Sequence, residues 1–139
     1  MKIYLSVPMI ANRALERARV LERAIKDCGH ELTSPWVLGP IEYSTGSVNV
    51  FERDRRGAEN SDAILADVSE PSTGVGMEIM AAYKAGKRII TVAKKGSRVS
   101  NMLMHMDGRE IVEFEDNEEL YAKLSNLLQH QAESRRQRE

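Results

Sequence analysis

The segment from Ala63 to Gly86 constrains the fold of this chain more than any other. Ala63-Ile-Leu-Ala-Asp67 is a short apolar run of the kind that forms a strand buried on both faces. Ile79-Met-Ala-Ala-Tyr-Lys-Ala85 has a helical pattern and stops at Gly86, where a helix end is expected. Pro71, Ser72, Gly74 and Gly76 lie between them and give the connection a loop composition. Arg88-Ile-Ile-Thr-Val-Ala93 follows as another apolar strand. A strand, a helix and a second strand in that order specify parallel pairing, because parallel strands need a crossover rather than a hairpin.

The same alternation fills the rest of the chain. Residues 2–7 read as a first strand ended by Pro8. Asn12 is a candidate cap for a helix reaching about Asp27, with Leu15, Ala18, Leu21 and Ile25 as its apolar stripe. Cys28-Gly29 ends that helix, and residues 31–33 form a short second strand. Residues 34–49 carry Pro35, Gly39, Pro40 and Gly46 and read as a long loop, a length that favours function or mobility. A charged helix over residues 50–60 precedes the Ala63 strand. A short helix over 99–106, a fifth strand over 110–114 and a last helix marked by Leu120, Leu124, Leu127 and Leu128 complete the chain. The expected fold is α/β, a flavodoxin-like (Rossmann-like) sandwich with a five-stranded parallel sheet and helices on both faces. Residues 1–128 form one domain, and the polar stretch 129–139 is expected to fray.

Composition narrows the function classes. A net charge of -1 gives no general pull toward a nucleic-acid polymer or a membrane. One cysteine, Cys28, allows no internal disulfide, and His30, His105 and His130 lack zinc-ligand spacing, so no metal and no cofactor are expected. No apolar run is long enough to span a bilayer, and a cytoplasmic location is the expectation. Gly74-Val-Gly76 fails as a dinucleotide fingerprint because Ile79 stands where the third glycine belongs. Gly86-Lys87 fails as a phosphate-binding P-loop, since Arg88 follows and Ala81 occupies the first glycine position. No Gly-x-Ser-x-Gly elbow is present.

Open α/β sheets bind ligands beyond the carboxyl ends of their strands, which is where the Pro71–Gly76 connection falls. Its two glycines permit close approach of a ligand, a helix start favours an anion, and Glu78 reads as a first-turn carboxylate. Each of these residues also has a plain reading. Glu78 suits the helix dipole, and Asp54 lies in Glu52-Arg-Asp-Arg-Arg56, which suits a solvated face of local ion pairs. Tyr4 suits a core, and Ser72 suits a turn after Pro71. Trp36 suits either a base-stacking role or a loop anchor, and Met102, Met104 and Met106 suit core or interface.

Pro71-Ser-Thr-Gly-Val-Gly-Met-Glu78, preceded by Ser61-Asp-Ala-Ile-Leu-Ala-Asp-Val68, resembles the nucleoside 2-deoxyribosyltransferase superfamily, and most closely its 2'-deoxynucleoside 5'-monophosphate N-glycosidase branch. The resemblance runs from the first strand to about Met106. It implies a flavodoxin-like fold, cleavage of the N-glycosidic bond of a nucleoside 5'-monophosphate, and a homodimer whose active sites are shared. It implies that Glu78 is the carboxylate at the anomeric carbon, that Asp54 contacts the sugar and assists protonation of the departing base, and that Tyr4 orients Glu78. It further implies a 5'-phosphate cradle of Ser72 with the backbone of Gly74 and Gly76, and a Ser100 that reaches the phosphate in the partner's site. One departure stands out: Val7-Pro8-Met9-Ile10 occupies the place of a Gly-Ser-Ile-Arg phosphate loop, leaving Arg13, Lys94 or Lys95 as candidate replacements. Transfer of the sugar to another base, hydrolysis of a ribonucleotide, and nucleotide sensing without turnover remain as alternatives.

Overall fold

A computed structural model describes residues 1–9, 14–40 and 48–138, with side chains through Gln129. The element order is β1 (Lys2–Ser6), α1 (Leu15–Asp27), β2 (Glu31–Leu32), a 3-10 helix (Pro35–Leu38), α2 (Val50–Asn60), β3 (Ala63–Asp67), α3 (Thr73–Lys84), β4 (Arg88–Lys94), α4 (Asn101–Met104), β5 (Arg109–Phe114) and α5 (Asn117–Arg138). The strands form one parallel sheet in the order β2-β1-β3-β4-β5. This is the flavodoxin-like arrangement expected from the alternation of strands and helices.

Period-two alternation in the strands divides the core into two layers. Ile3, Leu5, Ala63, Leu65, Ile90 and Val92 face α1 and α5, meeting Leu21, Ile25, Leu120 and Leu124. Tyr4, Ile64, Ala66 and Ile89 face the other way, onto Ala58 of α2 and Val75, Ile79 and Ala82 of α3. Every residue of β3 is buried, as its unbroken apolar run requires in the middle of a two-sided sheet. Among the described residues no helix is long and apolar enough to cross a membrane.

Three local departures from the sequence expectation bear on function. The glycine-containing connection is much shorter than its composition suggests: α3 begins at Thr73, so Gly74 and Gly76 are helical. Ser72 caps the helix by accepting from the Val75 amide at 3.3 Å, and that cap outweighs the low helix propensity of the two glycines. Glu78 therefore sits in the second turn rather than the first. The long loop after β2 contains the Pro35–Leu38 3-10 helix, held by Ser34, whose buried hydroxyl accepts from the Leu5 amide and donates to the Leu5 carbonyl, both at 2.8 Å. The short helix expected over 99–106 is the four-residue α4. The Asn12 cap and Arg13 lie outside the described residues, and the first described residue before α1, Ala14, makes no side-chain cap. α5 continues to Arg138, past the last buried leucine, Leu128.

The ring of Tyr4 is fully buried between β1 and α2. Gly57 makes this possible, since a Cβ there would lie 2.5 Å from Tyr4 Cε2 and 2.8 Å from Cδ2. A mid-helix glycine costs roughly 1 kcal/mol relative to alanine, so Gly→Ala ordinarily stabilises a helix. Here the sign is expected to reverse. Gly57→Ala should lose roughly 1–3 kcal/mol through overpacking against the ring, read as a lower midpoint in thermal or urea unfolding. A stabilised Gly57→Ala protein would show that the ring has room to move.

Candidate active site

Three elements converge beyond the carboxyl ends of β1 and β3. β1 supplies Tyr4 and Ser6 on its α2/α3 face, α2 supplies Arg53 and Asp54, and the start of α3 supplies Ser72, Gly74 and Glu78. A cavity of about 450 Å³ opens between them, bounded by Trp36, Val37 and Pro40 on one side and by Pro71 to Val75 on the other. The segment feeding α3 is pinned to the sheet. Asp67, 1% exposed, accepts from Arg17 Nε at 2.7 Å and from the Ser69 amide at 3.0 Å, and the Ser69 hydroxyl accepts from the Lys94 amide at 2.8 Å. A site on a segment fixed in this way keeps its geometry at little entropic cost during binding.

Glu78 is the carboxyl most altered by its surroundings among the described residues. Burial pushes its carboxyl up from the ordinary glutamate range to about 7. The Tyr4 hydroxyl opposes that by favouring the charged form, the nearby Asp54 charge adds to it, and the Ser6 hydroxyl and Arg53 oppose it again. Tyr4 is raised in turn, first by burial and then by Glu78 and Asp54, so its hydroxyl keeps its proton and can serve only as a donor to the carboxylate. Neither the Tyr4 nor the Ser6 hydroxyl reaches full hydrogen-bond geometry with any protein atom, although both act on Glu78. They lie near the carboxyl without being locked to it. Catalytic hydrogen bonds are often long before substrate binds.

The other expected site residues are placed less uniformly. Asp54 lines the cavity and also pairs with Arg53 Nε at 2.9 Å, so the ion-pair reading and the site reading both describe it. Ser72, Thr73 and Gly74 line the cavity, and Gly74 lies beside Glu78, where a Cβ would be 3.9 Å from Oε1. The Gly76 amide is used within the helix, donating to the Ser72 carbonyl at 3.1 Å, and Gly76 does not line the cavity. Thr73 and Gly74 are therefore the helix-start amides without an intrahelical acceptor, suited to an anion. Ser100 caps α4, accepting from the Met102 amide at 3.2 Å, and does not line this cavity. Val7 and Met9 give the cavity an apolar wall where the resembling family has a phosphate loop. Lys95 pairs with Glu115 at 2.9 Å, and neither Lys94 nor Lys95 lines the cavity.

Sequence reading missed Ser6, Arg53 and the way Trp36 is held. The Arg53 guanidinium lies 4.4 Å from the Trp36 ring centre, and the Tyr4 ring meets the indole at 6.2 Å and a 60° tilt. One indole face is thus covered by protein, which favours an anchoring role for Trp36. Ser6 had a signal in the sequence, since it lies two residues from Tyr4 on a strand and so shares its face. Among the described residues no group of three or more histidine, cysteine or acidic side chains is arranged to hold a metal ion.

The raised Glu78 pKa implies a pH-dependent stability. A carboxyl that titrates near 7 when folded and near its ordinary value when unfolded holds more protons in the folded state between those limits. Its contribution is fully present below the ordinary value and is lost as pH rises through about 7. Glu78→Gln removes the titration. It should therefore be more stable than the parent at pH 8 by roughly 2–3 kcal/mol, with the gap closing toward pH 5, as read by urea unfolding at both values. An equal gap at the two pH values would place the Glu78 carboxyl in an ordinary solvated environment.

No family model matches the chain. A protein of Thermofilum pendens named "Putative 2'-deoxynucleoside 5'-phosphate N-hydrolase 1" is 33% identical over 136 residues, spanning 92% of this chain and 95% of its own. Among solved structures, a 2-deoxyribosyltransferase of Bacillus psychrosaccharolyticus aligns with a TM-score of 0.65 and 26% identity, covering 89% of this chain and 96% of its own. A Clostridium botulinum CMP N-glycosidase aligns with a TM-score of 0.66 and 19% identity over 89% and 98%, a likeness of fold. With nearly full coverage in both directions and a third of its residues shared with the archaeal relative, the chain belongs to the 2'-deoxynucleoside 5'-phosphate N-hydrolase family.

Proposed function

We propose that the protein hydrolyses the N-glycosidic bond of (2'-deoxy)nucleoside 5'-monophosphates, releasing the free base and (deoxy)ribose 5-phosphate. The observation that carries this reading is Glu78, a desolvated carboxyl beside a second acid in a cavity at a helix start. Breaking the bond develops positive charge at the anomeric carbon. A carboxylate destabilised by burial gains more from that charge than a solvated one would, so the interaction strengthens toward the transition state. In this reading Glu78 meets the anomeric carbon and either stabilises it or bonds to it, and water completes the hydrolysis. Asp54 contacts the sugar and assists protonation of the departing base, and Tyr4 aims Glu78. Ser72 and the amides of Thr73 and Gly74 receive the phosphate, in keeping with their place on the cavity wall. A cytoplasmic location goes with such a substrate.

The same reading includes a homodimer with shared sites. Phe51, Met77 and Met80 are about half exposed and border a second groove between α2 and α3, which also touches Asp54 and Glu78. Met102 and Met104 on α4 are exposed as well. A second copy covering these side chains would bury adaptable apolar surface next to the site and bring its own Ser100 toward the phosphate. A transferase is the second reading, supported by the 26% identity to the deoxyribosyltransferase. Incorporation of an added free base into new nucleotide would select it over hydrolysis.

Glu78→Ala should reduce base release from a panel of ribo- and deoxynucleoside monophosphates by three orders of magnitude or more, roughly 4 kcal/mol of barrier, while nucleotide binding persists. Turnover near the parent's in a folded Glu78→Ala protein would remove the mechanism. Shared sites predict complementation. An inactive Glu78→Ala chain mixed with an inactive chain carrying Ser100→Trp should regain activity above either parent, because one mixed site has both side chains intact. No recovery despite demonstrated subunit exchange would mean that each chain builds its own site.

A further inference from the structure

Ser6 is the residue whose position the fold does not explain. It is completely buried, and its hydroxyl finds no hydrogen-bond partner. On the same strand face only the Tyr4 hydroxyl shares that lack, whereas the buried side chains of His30, Ser34, Ser61, Asp67, Ser69 and Thr91 are bonded to Leu128, Leu5, Gly57, Arg17, Lys94 and Glu110 respectively. An unsatisfied buried hydroxyl is destabilising, so it persists where the site gains from it. Ser6 ends β1, in register with Ala66 of β3, two residues beyond Tyr4 and therefore on the face that meets α3. Glu78 projects from α3 toward that same strand end, and the Ser6 hydroxyl favours the charged form of its carboxyl, as the Tyr4 hydroxyl does.

We propose that Ser6 is a positioning residue for Glu78, its hydroxyl forming with that of Tyr4 a pair of donors that orients the carboxylate and holds it ionised for reaction. The inference rests on the reading of Glu78 as the reacting carboxylate and adds to it a residue outside the set that the family resemblance implies. Two donors are needed because burial and the Asp54 charge both work against ionisation. The charged and titratable groups facing Glu78 are Tyr4 from β1 and Arg53 and Asp54 from α2, with Arg55, Glu59 and Lys84 farther along the α2–α3 groove. Arg53 pairs with Asp54, lies over the Trp36 ring and acts on Glu78 through its charge, whereas Tyr4 and Ser6 act on it as hydrogen-bonding hydroxyls. Removing the Ser6 hydroxyl deletes no protein hydrogen bond, so it should shift the titration of Glu78 without loosening the fold.

The test uses Ser6→Ala and Ser6→Thr in the full chain with two readouts. Carbon-13 NMR titration of the Glu78 carboxyl reads its protonation without reference to turnover, and the pH profile of kcat reads its use. In Ser6→Ala the Glu78 titration should move alkaline by about one pH unit. The acid limb of kcat should move with it, giving about tenfold slower turnover below neutrality and a smaller loss at alkaline pH. The unfolding temperature should stay level or rise, and Ser6→Thr, which keeps the hydroxyl, should restore the parent titration. If Thr does not pack, Ser6→Cys, with a weak donor of similar volume, should fall between Ser and Ala. An unmoved Glu78 titration in folded Ser6→Ala overturns the proposal, as does a uniform loss of kcat at every pH accompanied by lower stability. A shifted titration in a protein that releases no base from any nucleotide would uphold the Ser6–Glu78 link and instead refute the hydrolase reading.

Discussion

Burying one carboxyl is the constraint on which the rest of this structure turns. Glu78 lies in the second turn of α3, against the end of β1 and within reach of the Asp54 charge, and its surroundings favour the neutral form. A protein gains no stability from such an arrangement. Its compensation lies in what surrounds the group: two strand hydroxyls, an arginine held over an indole, and a helix start fixed by a serine cap. The result is a carboxyl that water does not already satisfy, and such a group responds strongly to charge brought beside it.

The scaffold achieves this with ordinary means. The parallel sheet brings the carboxyl ends of β1 and β3 side by side, so residues far apart in the sequence share one edge. β2 is only two residues long, and the Ser34 side chain continues its pairing with β1 by bonding both backbone groups of Leu5. That substitution turns the chain away from the sheet and delivers Trp36 to the cavity wall. On the other side, Asp67 ties β3 to α1 through Arg17 while holding the first turn of the following segment. An ion pair this buried is weak evidence for stability but good evidence for a fixed register.

Much of the fold was legible because its signals are local. The limits of α2 and β3 follow from charge patterning and an apolar run, and the sheet order follows from alternation of strand and helix. The start of α3 was misread because two glycines outweighed one serine in the reading, whereas in the structure the cap decides. Glu78, Asp54 and Tyr4 were legible as candidates through resemblance, and the structure brings all three into electrostatic contact. Ser6 and Gly57 were not recognised, because their significance depends on what lies across from them, Glu78 of α3 for the serine and Tyr4 of β1 for the glycine. A helical glycine looks unremarkable in sequence until a tyrosine ring is placed against it, and a strand serine until a buried carboxyl is placed beside it.

The contact between Tyr4 and Gly57 ties the chemistry of the site to substitutions remote from it in sequence. A ring at one position requires the absence of a side chain at the other, so Gly57 cannot gain one while the ring stays in place. Evolution toward a bulkier α2 would have to pass through a smaller residue at position 4, and with it through loss of a donor hydroxyl. The two positions should therefore covary. An engineer wishing to stiffen α2 by filling its glycine would meet an epistatic barrier set by the Tyr4 ring, not by the helix.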